Sequence, residues 1–301
     1  MGSAVKSFFK WFVFLFVLLA IMAGGYFKLE EFSAQKVHEF TDKYSDLVRV
    51  EFDRALINPF DQTLNIWGIH CSFSMGSSFS VDRIVIDKFD REHSFPLFFK
   101  GSIEGISVPV DFMNLGPYAG EFRKMGYEEL TFDLLADYIY EDETKRLTVK
   151  KLCFDGVDSL QVSTGFDLGD VKLINSGFNG LIGVSMLDGG MILVDKSLTV
   201  KFLDLAAAAE NSDFLSYRSK LMEGMQLKMQ KAKSLGNGFA ENFYAEIIKF
   251  IAKPGKLVVR VEPTEPVPLL YMFMGRSFEE LLELYGVTVE SDELGSNAGD
   301  S

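Results

Sequence analysis

Between about residues 45 and 200, apolar and polar positions alternate with a period of two; beyond residue 200 they recur at helical spacing. In "LTFDLLADYIY", Leu130, Phe132, Leu134, Ala136, Tyr138 and Tyr140 share one face, opposite Thr131, Asp133 and Asp137. "LQVSTGFDL" alternates more cleanly, with Leu160, Val162, Thr164, Phe166 and Leu168 on one side. "LTVKKLCF" starts with Leu147 and Val149 in phase and resumes with Leu152 and Phe154 out of phase, which predicts a bulge at Lys150–Lys151. These segments read as an antiparallel meander turned by "EDETKR" and "DGVDS". "VDRIVIDKF" and "ISVPVDF" have the same style. In the second, Ile106, Val108, Val110 and Phe112 alternate, and Pro109 suggests an edge position or a bulge. Strands of ten or eleven residues exceed the usual five or six, which implies a long and curved sheet.

In "DFLSYRSKLMEGMQLKMQKAKSL", Phe214, Tyr217, Leu221, Met225, Ala232 and Leu235 fall near helical spacing, with Ser212 as the candidate N-cap. "NGFAENFYAEIIKFIAKPG" predicts a second helix, stopped by Pro254-Gly255. "KLVVRVEP" predicts a strand with Leu257, Val259 and Val261 on one face. "SFEELLELYG" carries a capping box, Ser277 with Glu280, and Gly286 at its end. "VTVE" reads as a last short strand, and the polar tail from Ser291 reads as disordered. The expected fold class is α+β: a long, curved, groove-like antiparallel sheet packed with C-terminal helices, after one membrane helix. The corresponding divisions are 1–28 (cytoplasmic stub and anchor), 29–200 (β-rich), 201–290 (helical and mixed) and 291–301 (tail).

The anchor expectation comes from "KSFFKWFVFLFVLLAIMAGGYFK". Trp11 to Phe27 is an uncharged run of 17 residues, about 26 Å long as a helix. Phe8 and Phe9 extend it, because Lys10 can snorkel toward the headgroups. Lys6 and Lys10 precede the run, while Glu30 and Glu31 follow Lys28, so the positive-inside rule places the N-terminus in the cytoplasm. A single-pass inner-membrane protein with an exported, periplasmic body follows. The competing reading is a signal peptide cleaved near Ala23-Gly24-Gly25.

Charge narrows the function classes. The net charge is −13, yet residues 1–28 and 201–256 each carry +3, leaving −19 for the rest. A body this acidic disfavours nucleic acid as a partner. The chain has 29 phenylalanines, 23 of them beyond residue 28, enough for an aromatic core. Cys71 and Cys153 lie far apart and outside any CxxC. An exported body permits them to pair, and two small buried residues are the alternative.

No catalytic constellation is expected. GxSxG is absent, "GVSML" at Ser185 lacking the second glycine, and His38, His70 and His93 form no motif. His70 and Cys71 are neighbours on a strand and point to opposite faces, which disfavours a dyad. "EDET" lacks the alternating ligands and central glycine of an EF-hand loop, and "GFNGLIG" lacks phosphate-loop spacing. No metal or cofactor is expected. In the 213–235 helix, Met222, Met225 and Met229 with Lys228 and Lys231 offer an adaptable apolar surface flanked by cations. That suits anionic headgroups, or packing on the sheet with a solvated lysine face.

"DYIYEDETKRLTVKKLCFDG" followed by "SLQVSTGFDLGDV" resembles hairpins of AsmA-like and YdgA-like bacterial envelope proteins. The carrying residues are Tyr140-Glu141-Asp142-Glu143-Thr144, then Leu147 and Val149. The resemblance covers residues 45–175 and implies a β-groove with an apolar inner face, associated with lipid; it carries over no catalytic residues. AsmA-like proteins have a longer β body. The combined expectation is a non-enzymatic, membrane-anchored protein with lipid as partner. Its groove would be lined by Leu130, Phe132, Leu134, Tyr138, Val162, Phe166 and Leu168. The alternative is a scaffold that binds an envelope protein through its acidic surface and C-terminal helices.

Overall fold

Long antiparallel strands and several helices make an α+β fold, as the periodicity predicts. The computed structural model describes residues 48–57, 63–73, 76–90, 92–93, 96–172 and 183–292. Among these, no helix is long and apolar enough to cross a membrane, and the run Trp11–Phe27 lies outside them. The chain forms two compact units, Met1–Tyr138 and Ile139–Ser301.

The first unit holds β1 (Val48–Glu51), β2 (Arg54–Ile57), β3 (Leu64–Phe73), β4 (Ser78–Phe89) and β5 (Phe98–Pro109). Short helices α1 (Phe112–Leu115) and α2 (Ala119–Lys124) follow, and the division between units falls inside β6 (Glu129–Glu141). Its strand order is β1-β3-β4-β5-β6, with β2 also on β3. The core depends on a phase change that plain alternation does not contain. Ile66, Ile84 and Ile103 form one buried row across β3, β4 and β5, and Ile69, Val81 and Ile106 form the next. Two residues, not one, separate these rows in each strand: Trp67-Gly68, Asp82-Arg83 and Glu104-Gly105. Because all three strands add the extra residue at the same level, pairing keeps its register while the inward set changes parity. Gly68 and Gly105 adopt positive φ there (62° and 64°), and the carboxylates of Asp53 and Asp82 lie where their Cβ atoms would be. Asp133 Oδ1 accepts from the Gly105 N–H at 2.7 Å.

The predicted continuation of "ISVPVDF" to Phe112 does not occur. The strand ends at Pro109, Val110 stays buried, and Asp111 caps α1 by accepting from Asn114 N. A capping aspartate right after a strand-ending proline outweighs one further alternation.

The second unit continues with β7 (Arg146–Gly156), β8 (Leu160–Gly169) and β9 (Ser185–Asp195). Helices α3 (Leu198–Ala209), α4 (Phe214–Ser234) and α5 (Gly238–Ala252) come next. β10 (Lys256–Val261), β11 (Val267–Pro268), a 3-10 turn (Leu269–Phe273), α6 (Phe278–Leu284) and β12 (Val287–Asp292) complete it. The order is β7-β8-β9-β10-β12, with β11 on β9. "EDETKR" is a turn between β6 and β7, closed by Thr144 Oγ1 donating to Glu141 Oε2 at 2.9 Å, with Lys145 at φ 54°. The bulge falls at Lys150–Lys151, where the β7–β8 register shifts between Val149 and Leu152. Gly165 sits opposite it, where a Cβ would lie 2.9 Å from the Lys150 carbonyl oxygen. The Ser159 carbonyl in the β7–β8 turn accepts from the backbone N–H groups of Lys196, Ser197 and Leu198, so the start of α3 grips this turn.

β12 lies at the end of the strand order, and α5 satisfies its open backbone edge. Asn242 accepts from Val289 N and donates to Val289 O, at 2.8 and 3.1 Å, while Glu246 accepts from Ser291 N at 3.0 Å. Asp213, not the expected Ser212, caps α4 through Ser216 N. The capping box at Ser277 and Glu280 is present.

Candidate functional site

The meander builds one continuous apolar face in the second unit. The register aligns Phe154, Val162, Leu193 and Leu257 in one row, and Leu152, Thr164, Met191, Val259 and Val289 in the next. Val149, Phe166, Gly189, Val261 and Val287 make a third row, and Leu147, Leu168 and Met186 a fourth. Gly189 puts no side chain into its row; a Cβ there would lie 3.0 Å from that of Phe166. At the β10–β12 end, α5 packs on this face. Phe250, Leu257 and Val289 are buried together, with Leu193, Phe243, Ile247, Val259 and Val287 packed around them. Met191 and Leu193 on β9 are half-buried, as are Leu152, Phe154, Val162, Phe166 and Leu168 on β7 and β8, while Val149 on β7 is buried.

Of the seven expected groove residues, Val162, Phe166 and Leu168 thus lie together in the second unit. Leu130, Phe132, Leu134 and Tyr138 lie on β6 within the first unit. The first three of these are half-buried, whereas Tyr138 is buried, stacks on Phe99 at 6.1 Å and donates to the Pro96 carbonyl at 3.1 Å. Burial, and then the charge of Asp90, push its phenol well above the ordinary range.

The expected membrane-contact residues take part in a helix layer. Met225 and Met229 pack against Ala232, Ala240, Tyr244 and Leu282, and Met222 is half-buried. Lys228 lies over the Tyr244 ring at 5.8 Å, and the Tyr244 hydroxyl donates to Glu279 Oε1 at 2.5 Å. That hydrogen bond, the start of α6, and the charges of Lys228 and Lys231 hold the Glu279 carboxyl below its usual value. Burial and Glu279 push the Tyr244 phenol up to about 12.

Outside these layers, the most chemically pointed cluster is Asp90 with His93, which the sequence pattern did not single out. Burial works to raise the Asp90 carboxyl. Hydrogen bonds from Leu97 N and Glu92 N, and His93 Nδ1 at 2.7 Å, outweigh it and hold the group below the ordinary carboxylate range. Two of its three partners are backbone N–H groups, those of Glu92 and Leu97, so the group ties the end of β4 to the residues just before β5. Asp90→Ala should cost about 1–3 kcal/mol at pH 7 by removing the charged acceptor of the Glu92 and Leu97 N–H groups. Because the folded carboxyl lies below its unfolded value of about 4, the stabilisation is complete above that value and fades as pH falls through the folded one. Urea unfolding at pH 7 and pH 3 should therefore show a smaller difference between wild type and variant at the lower pH.

Among the described residues, no three His, Cys, Asp or Glu side chains are grouped so as to hold a metal ion. Cys71 and Cys153 are both free, and burial pushes the Cys71 thiol up to about 12. A family model described as "Uncharacterized protein" matches residues 153–292. The match starts within β7 and ends at the last residue of β12, so it spans the apolar rows from Cys153 onward and the helices packed on them. No curated protein matches the chain.

Proposed function

We propose that the protein is a membrane-anchored, non-enzymatic binding protein that holds a lipid-like apolar ligand against the β7–β8 part of its sheet. The observation that carries this reading is the unequal cover of one apolar face. Leu257 and Val289, which α5 buries on β10 and β12, share rows with half-buried Leu193 and Met191 on β9. The same rows hold half-buried leucine, valine and phenylalanine on β7 and β8, which α5 does not cover in its cluster. Half-covered apolar rows beside a helical layer supply the lining that an acyl chain needs, and curvature of strands this long would turn the face into a groove. The anchor in this reading is the run Trp11–Phe27, with the body on the periplasmic side of the inner membrane.

A second reading, a scaffold for another envelope protein, draws support from exposed apolar side chains at Met272, Phe273, Met274 and Phe278. One experiment separates the two. Residues 29–301 are purified without detergent, extracted with organic solvent and assayed for lipid by mass spectrometry. Stoichiometric co-purifying lipid is the expected result. A lipid-free protein that still pulls down a defined envelope partner through α4–α6 would favour the scaffold.

A further inference from the structure

One end of the first unit carries a tip built inside out. Phe112 is 70% exposed, Met113 62% and Tyr118 38%, although all three lie on or beside the short helix α1. Their polar neighbour is buried instead. Asn114 accepts from Ser78 N at 3.0 Å and donates to the Pro109 carbonyl at 3.2 Å, and Asp111 caps the helix from below. The tip is held in place by these bonds, so its apolar groups are presented to the outside as part of an ordered turn. An ordinary surface turn does the reverse, with polar groups outward.

The register fixes where this tip lies. Met113 approaches the β3–β4 turn, where a Cβ on Gly76 would lie 3.9 Å from it. Phe73, which ends β3 at that turn, pairs with Val48, the first residue of β1. β1, the first described strand, therefore begins at the tip's end, with twenty residues between it and Phe27, where the uncharged run closes. The opposite end, with Asp90 and His93, lies about 40 Å away along β4.

We propose that Phe112, Met113 and Tyr118 form a second membrane contact that dips into the interfacial layer of the bilayer holding the N-terminal run. The inference rests on the anchor reading given above. Three side chains on a short turn offer far less than the roughly 800 Å² per partner of a stable protein interface. Interfacial insertion has no such threshold, and aromatic residues with a polar edge favour the headgroup level. The occupant is therefore the lipid surface.

The test uses the full chain in phosphatidylcholine vesicles. Cys153→Ser leaves only the buried Cys71 thiol, and a nitroxide is attached at Met113→Cys or, as the control at the opposite end, at Glu92→Cys. Power-saturation measurements compare access of oxygen with access of a water-soluble nickel chelate. The oxygen-to-chelate ratio is expected to be several-fold higher at position 113 than at position 92. Equal, water-like ratios in a chain that resists carbonate extraction would overturn the tip contact and leave the anchor standing. A chain that carbonate strips while position 113 remains immersed would overturn the anchor and support the tip. A chain that does not associate with the vesicles at all overturns both.

Discussion

Alanine at Gly286 should destabilise the second unit by about 2–5 kcal/mol, read as a lower urea midpoint at unchanged slope. Gly286 follows α6 at φ 59°, where a side chain costs about 1–2 kcal/mol. A Cβ there would also overlap the Glu262 carbonyl oxygen and lie 2.8 Å from its carbon. Both are backbone atoms of the chain that leaves β10, so relief requires moving the junction between β10 and β12. Overpacking of that kind adds about 1–3 kcal/mol. Gly275 supplies the internal control. It has a similar φ of 73° but open space around it, so Gly275→Ala should cost only the backbone share. Equal effects at the two positions would remove the close approach from the explanation.

The second large effect concerns the apolar face. Val162→Asp should reduce bound lipid at least tenfold, since covering a carboxylate with an acyl chain costs several kcal/mol and 1.4 kcal/mol is already tenfold. Val162 is half-buried between Phe154 and Leu193 in its row. In the ligand-free protein the new carboxylate would reach water, so the fold should lose less than about 1 kcal/mol. The opposite combination, a loss of about 3 kcal/mol or more with no lipid in wild type, would mean that the protein's own side chains fill the face.

The meander was legible because its signals are local. Two lysines interrupting the alternation at Lys150–Lys151 mark the bulge, and acids and cations between two alternating runs mark the 142–145 turn. The capping box of α6 was readable for the same reason, being four consecutive residues with a hydrogen-bond logic of their own. The phase change at Gly68, Asp82-Arg83 and Gly105 was not readable strand by strand. Its sense appears only when β3, β4 and β5 are aligned, because a single strand with two polar residues together looks like weakened alternation. The edge cover by Asn242 and Glu246 likewise joins positions about 45 residues apart in sequence. In the 213–235 helix, the methionine and lysine spacing suits a membrane surface and a packed layer equally. Met225 and Met229 pack against Ala232, Ala240, Tyr244 and Leu282, a neighbourhood that helical periodicity alone does not specify. On the candidate face, sequence placed Val162, Phe166 and Leu168 on one side of a strand. Which part of that side α5 would cover depended on the pairing of β9, β10 and β12.

The most direct test of the central claim is the lipid content of detergent-free wild type and Val162→Asp protein, measured side by side by mass spectrometry of organic extracts. Stoichiometric lipid in wild type, lost at least tenfold in a variant that still melts cooperatively near the wild-type temperature, is the predicted result. Wild-type protein that is folded and free of lipid would contradict it.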